Sequence, residues 1–182
     1  MRNISRDAVG NLLDEVATAI IMPRFQNLRD DEISTKSSAT DFVTIADQQA
    51  EEWLTPRLRA LVDCPVIGEE AVAVNPALRD QAGSGLVWTV DPVDGTANFV
   101  KGVERFCVMV ALVQDGVPLQ SWVWNPVQRV LYHAVINGGA EMVSAGVATP
   151  LVRDERRDSF ETLVGGGNSL GLEEPRKSMV RT

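Results

Sequence analysis

Apolar positions near the start of the chain recur at helical spacing. Val9, Leu12, Leu13, Val16, Ala17, Ile20 and Ile21 form one stripe, which predicts an amphipathic helix from Ser5 to about residue 29. Ser5 is placed to cap it, and Asp7 sits in its first turn. Pro23 should kink or interrupt it, with Phe25 and Leu28 continuing the stripe. Residues 33–40 are small and polar and read as a loop or weak hairpin. A second helix follows to about Val62, capped by Thr44, with Asp47 at the capping-box position. Ala46, Ala50, Trp53, Leu54, Leu58 and Leu61 give its buried face, and Pro56 should bend it.

The pattern then changes period. Residues 65–68 form a short apolar strand ending in Glu69-Glu70, and adjacent acids on an extended chain point to opposite sides. Residues 71–84 read as a surface connection, and residues 86–90 as a buried strand. Residues 106–113, 117–124, 129–135 and 140–143 are further strands, separated by turn signals at Asp115-Gly116 and Asn137-Gly138-Gly139. These elements predict an α+β fold, with paired helices on an antiparallel meander. Past Leu151 the pattern weakens. Residues 152–158 are a charge run, residues 161–164 a candidate strand, and residues 165–171 a glycine-rich loop with neither Walker nor dinucleotide spacing. His133 falls within a strand and is given no role.

Composition narrows the partners. The chain has 182 residues, 45% hydrophobic and 23% charged, enough for one domain with a sizeable core. Its net charge of -8 argues against non-specific binding to nucleic acid or to anionic membranes. It does not exclude a phosphorylated substrate, because a bound cation reverses the local sign. Cys64 and Cys107 lie in apolar surroundings without ligand spacing and read as two buried thiols of a reducing compartment. There is no signal-peptide core and no apolar run near membrane-span length. The expectation is a cytoplasmic protein.

The candidate chemistry lies at the end of the strand at 86–90. Asp91 and Asp94 flank Pro92-Val93, and the turn at Pro92-Val93-Asp94-Gly95 should fold the second carboxylate back beside the first. Two like charges so close conflict unless a hard divalent cation stands between them. An EF-hand-type Ca²⁺ loop is a poor alternative, since Val93 and Gly95 stand where oxygen-bearing side chains are needed.

Three motifs in order then share one explanation. Asp41-x-Val43-Thr44-x-x-Asp47, Gly68-Glu69-Glu70 and Trp88-x-x-Asp91-Pro92-Val93-Asp94-Gly95-Thr96-x-Asn98-Phe99 together resemble the inositol monophosphatase family of Mg²⁺-dependent, lithium-sensitive phosphatases. The resemblance spans about residues 5–145 and implies a layered αβαβα sandwich like that of fructose-1,6-bisphosphatase. It implies that Glu70, Asp91, the Val93 carbonyl and Asp94 bind Mg²⁺. Asp47 and Thr96, helped by Glu70, would orient and deprotonate the attacking water. Asp94, Gly95, Thr96 and Lys36 would face the substrate phosphate, and the molecule would be a homodimer acting on a small phosphorylated substrate.

The family fold is longer than this chain, and its second half supplies a further metal-binding aspartate in a Trp-Asp pattern absent here. Residues 1–150 therefore correspond to an N-terminal metal-binding portion, and 151–182 to the start of a truncated C-terminal α/β portion. A 182-residue form lacking that aspartate would have little phosphatase activity and would leave sheet edges exposed. The alternatives are a sibling substrate (fructose bisphosphate, a nucleotide 3′-phosphate or histidinol phosphate) and an inactive homologue that binds metal or a partner.

Overall fold

A computed structural model of the chain describes residues 4–36 and 42–152. Contacts divide the chain into Met1–Leu151 and Val152–Thr182. Nearly all of the second unit lies outside the described residues, and so do the strand expected at 161–164 and the loop expected at 165–171.

The N-terminal stripe forms α1 (Arg6–Val16), capped by the Ser5 side chain, and continues as a π-helical segment at Ala17–Ile21. The helix stops well short of residue 29. Proline lacks an N–H and disfavours helical geometry in the residue before it, so Pro23 ends the segment rather than kinking it. Gln26, at φ 59°, then reverses the chain. The small polar stretch is a hairpin arm: β1 (Ile33–Thr35) pairs antiparallel with β2 (Phe42–Thr44). Next comes α2 (Ile45–Leu61), which runs through Pro56 without a break. Its capping box is formed, with the Thr44 side chain accepting from Ala46 N–H and the Asp47 carboxylate accepting from Thr44 N–H.

Two short helices occupy what the pattern marked as a surface connection. After β3 (Val66–Gly68), Glu69 and Glu70 open α3 (Glu69–Val74) instead of extending the strand, and α4 is Leu78–Gln81. The remaining elements are β4 (Leu86–Asp94), α5 (Thr96–Val100), β5 (Cys107–Gln114), β6 (Val117–Asn125), β7 (Val130–Val135), β8 (Gly139–Ser144) and β9 (Val147–Leu151). The Asp115-Gly116 turn has φ 51° and 78°, the left-handed pair that a two-residue hairpin requires. A second such turn, Ala145-Gly146, leads into β9, a strand the sequence pattern did not reveal. Every residue of β9 is exposed, so the burial alternation that marks a strand is missing there.

The sheet has seven strands in chain order from β3 to β9. It is mixed rather than purely antiparallel, because β3 runs parallel to β4, with Val66 opposite Trp88 and Gly68 opposite Val90. The paired helices pack on one face. Val9, Leu13 and Val16 of α1 and Ala46, Ala50, Leu54 and Leu58 of α2 meet Trp88, Val90, Val110, Leu112, Trp122 and Leu131 of the strands. On the other face, Val72 and Leu78 from α3 and α4 pack over Ile67, Val87 and Val113. Trp88 and Trp122 are fully buried with ring centroids 5.9 Å apart, at the middle of the first core. Among the described residues, no helix is long and apolar enough to cross a membrane.

Trp122→Ala should cost about 3–5 kcal/mol by urea unfolding, since it empties a buried indole site. Val147→Thr on exposed β9 should stay within about 0.5 kcal/mol.

Candidate metal and phosphate site

The site is built where β3 and β4 end side by side. Parallel pairing puts the ends of both strands at the same edge, so α3, with Glu69 and Glu70, starts close to Asp91. On its other side β4 meets β5 through a bulge. Asp91 lies opposite Met109 and Asp94 opposite Cys107, so Pro92 and Val93 face only Val108. The extra residue shifts the side-chain alternation, and it also accommodates Pro92, which cannot donate to a regular ladder. The two aspartates are therefore brought together by an irregular strand end and not by the turn the sequence suggested.

Gly95 follows at φ 93°, a left-handed conformation, and a Cβ there would lie 2.7 Å from the Arg105 carbonyl oxygen. Only glycine fits at that position. Beyond it, α5 is anchored by Phe99, which is fully buried against Phe25 and Phe106 with ring centroids 5.7 and 5.0 Å away. That anchoring fixes Thr96. Its hydroxyl lies 3.2 Å from Asp47 Oδ1 and 2.9 Å from the Val93 carbonyl oxygen. Asp47 is buried, and its Oδ2 accepts from both the N–H and the hydroxyl of Thr44. Burial pushes the Asp47 carboxyl above its usual range, and the hydrogen bonds from Thr44 and Thr96 oppose that.

Lys36 sits at the end of β1, with Nζ 2.8 Å from Glu69 Oε1 and 2.7 Å from Glu70 Oε1. Burial lowers its affinity for a proton, but the two carboxylates outweigh this and hold the ammonium above its usual range. The Glu70 carboxyl is also pushed up, chiefly by burial, with Lys36 pulling the other way. Asp91 is the most perturbed acid. Burial, then the charge and hydrogen bond of neighbouring Glu69, then the charges of Asp94 and Asp47 raise it to about 8. Its Oδ1 is buried and has no hydrogen-bond partner.

The structure thus brings Asp47, Glu70, Asp91, Val93, Asp94, Gly95, Thr96 and Lys36 to one edge of the sheet. Three further groups there were given no part in the site from the sequence. Glu69, and not Glu70, is the acid that bears most on Asp91. The buried Glu51 carboxylate accepts from the N–H groups of Glu70 and Ala71 at 2.8 and 2.9 Å. Its four-residue spacing from Asp47 on one helix face is the signal that could have found it. Cys107 is half-buried, and its thiol points at Asp94 Oδ2 across 3.6 Å. Burial and the Asp94 charge raise that thiol to about 12. It lies in polar surroundings beside the site, unlike buried Cys64 and contrary to the apolar setting expected for both.

The donor set suits a hard cation: carboxylates, plus a Val93 carbonyl whose second lone pair remains after the Thr96 hydrogen bond. The unpartnered Asp91 Oδ1 fits the same reading. Among the described residues, no three His, Cys, Asp or Glu side chains stand in ligating geometry around one point. Lys36 supplies the positive charge between Glu69 and Glu70. A cavity of about 920 Å³ lies on the outer side of that pair, bounded by Gln48, Glu52, Val72 and Arg79.

Folding favours the protonated form of Asp91, so the stability this group contributes is present below its usual value of 3.8 and is lost as pH rises towards about 8. In chelator-treated protein, Asp91→Asn should remove that decline, raising the melting temperature at pH 8 relative to the parent while leaving pH 4 nearly unchanged. Thermal melts of both proteins across that range check it. Gly95→Ala should destabilise by about 1–3 kcal/mol from backbone strain alone, with the Arg105 clash added, as urea unfolding would show.

Comparison with known proteins identifies the family. A Nus factor SuhB of Pasteurella multocida is 35% identical over 115 residues, which is 63% of this chain and 41% of the relative. An inositol-1-monophosphatase of Bacillus subtilis is 32% identical over 111 residues, 60% of this chain and 40% of the relative. A 3′(2′),5′-bisphosphate nucleotidase CysQ of Salmonella typhimurium is 38% identical over 116 residues, 63% of this chain and 46% of the relative. The chain spans less than half the length of these relatives. Among solved structures, the Thermotoga maritima IMPase superposes with a TM-score of 0.62 at 25% identity, covering 75% of this chain and 50% of that one. The profile of the Inositol monophosphatase family matches residues 6–170, and the chain belongs to that family.

Proposed function

We propose that this chain carries the cation-binding and water-activating part of a Mg²⁺-dependent phosphomonoesterase acting on a small substrate of the inositol monophosphate kind. One observation carries the reading: the Asp47–Thr96 contact stands beside a half-buried Asp91 whose buried Oδ1 has no partner. In the proposed complete protein the sheet forms part of an αβαβα sandwich, and the molecule works as a cytoplasmic homodimer.

Glu70, Asp91, Asp94 and the Val93 carbonyl would hold Mg²⁺. The bound cation would neutralise charge on the phosphate and lower the pKa of a water molecule. The chain's own groups do the rest. Thr96 Oγ accepts a proton from the attacking water while passing its own to Asp47 Oδ1. Burial raises the Asp47 carboxyl, which makes it a better proton acceptor at neutral pH. Thr44 holds the other Asp47 oxygen, so Oδ1 stays aimed at Thr96. Gly95, with no side chain, lets backbone N–H groups approach the phosphate. Lys36 is paired with Glu69 and Glu70, so its ammonium stands at the edge where an anionic substrate would enter.

A second reading is an inactive homologue that binds metal. Calorimetry and phosphate release separate the two. Mg²⁺ should bind the parent chain and bind Asp91→Asn at least tenfold more weakly, a loss of about 1.4 kcal/mol or more. A parent that takes up no Mg²⁺ would sink both readings. Mg²⁺-dependent phosphate release from inositol monophosphate, lowered at least a hundredfold in Thr96→Val, would select the enzyme. Binding without release selects the inactive homologue.

A further inference from the structure

Glu51 is an acid on the inner face of α2, buried to 7% exposure, and among the described residues no Lys, Arg or His forms an ion pair with it. Burial pushes its carboxyl up, and hydrogen bonds from the Glu70 and Ala71 N–H groups pull it back. Those two N–H groups belong to the first turn of α3, where a helix has no internal acceptors for them. Each oxygen takes one: Oε2 accepts from Glu70 and Oε1 from Ala71. Gly68 at the end of β3 leaves room for this carboxylate, since a Cβ there would lie inside it. Gly68, at the N-cap position, has no side chain with which to cap α3, so Glu51 is the cap, contributed from another helix.

We propose that Glu51 is a positioning residue for the Glu69–Glu70 pair. Its carboxylate fixes the angle at which α3 leaves β3, and through that angle it aims both acids at Asp91 and Lys36. Asp47 and Glu51 stand four residues apart on one helix face, so α2 aligns the Thr96 hydroxyl with one carboxylate and the start of α3 with the other. One rigid helix then sets the spacing between the proton acceptor and the cation-facing acids. Here the proposal rests on the cation reading above, although its geometry does not.

Two variants test it in the full chain. Glu51→Gln keeps the size but replaces one acceptor oxygen with an NH₂ group that faces an N–H. Gly68→Ala keeps every charge and pushes the carboxylate aside. Without cation, amide hydrogen exchange at Glu70 and Ala71 should quicken at least tenfold in both. Mg²⁺ binding by calorimetry should weaken at least tenfold in both, and the double variant should be no worse than either single one. The melting temperature should change by a few degrees only. If Mg²⁺ affinity stays within twofold while exchange quickens, Glu51 only holds α3 and the proposal fails. Unchanged exchange overturns it as well. If one variant does not fold, the other decides. A parent with no Mg²⁺ response removes the cation reading alone. In that case the side-chain carboxyl NMR shifts of Glu69 and Glu70 decide, moving in both variants if Glu51 orients the pair and staying fixed if it does not.

Discussion

Like charges held close together in a partly buried place are the constraint around which this structure is arranged. Asp47, Glu69, Glu70, Asp91 and Asp94 converge at one sheet edge, and burial is the first cause of the upward shift at Asp47, Glu70 and Asp91. A fold that only needed stability would replace such acids or expose them. Instead each one is held from a different direction. Asp47 is held by its own capping box, Glu69 and Glu70 by Lys36 and Glu51, and Asp91 and Asp94 by the bulge in β4. The apolar core beneath them makes that holding rigid, because Phe99, Trp88 and Val93 are all fully buried directly under the site.

Much of this was legible in the sequence, for reasons that can be stated. Thr44 and Asp47 carry the capping-box spacing, so the start of α2 and the burial of its acid follow from local chemistry. The hairpin strands alternate or run apolar between turns rich in glycine, so β5 to β8 were expected within a residue or two at each end. Family motifs then joined Asp47, Glu70 and Asp91 across more than 40 residues of chain, which no periodicity argument could do.

What stayed hidden depends on contacts between elements. Glu69 and Glu70 look like the end of a strand until one sees that Glu51 supplies the missing cap that lets a helix begin there. The parallel pairing of β3 with β4 is invisible because β3 is only three residues long, and neither sequence carries a direction. Pro92 read as a turn because proline in a central strand is rare, and the bulge that tolerates it depends on the register with β5. Cys107 looked like a core thiol. Its position opposite Asp94 is a consequence of that same bulge.

The bulge and the remote cap make related demands on the chain. Each places a charged group where regular secondary structure would not, and each requires a glycine to make room: Gly95 beside the Arg105 carbonyl, and Gly68 under the Glu51 carboxylate. Regular elements can bury apolar side chains in one face, but they cannot by themselves turn five acids toward one another. Irregular backbone at two points, supported by neighbouring elements, does that here. On the proposed reading, a cation that relieved this crowding would bind more tightly for it, because neutralising Asp91 and its neighbours would remove a cost that folding has already met. On the proposed reading, affinity for a hard cation would follow from how the acids are confined, as well as from how many oxygens they present.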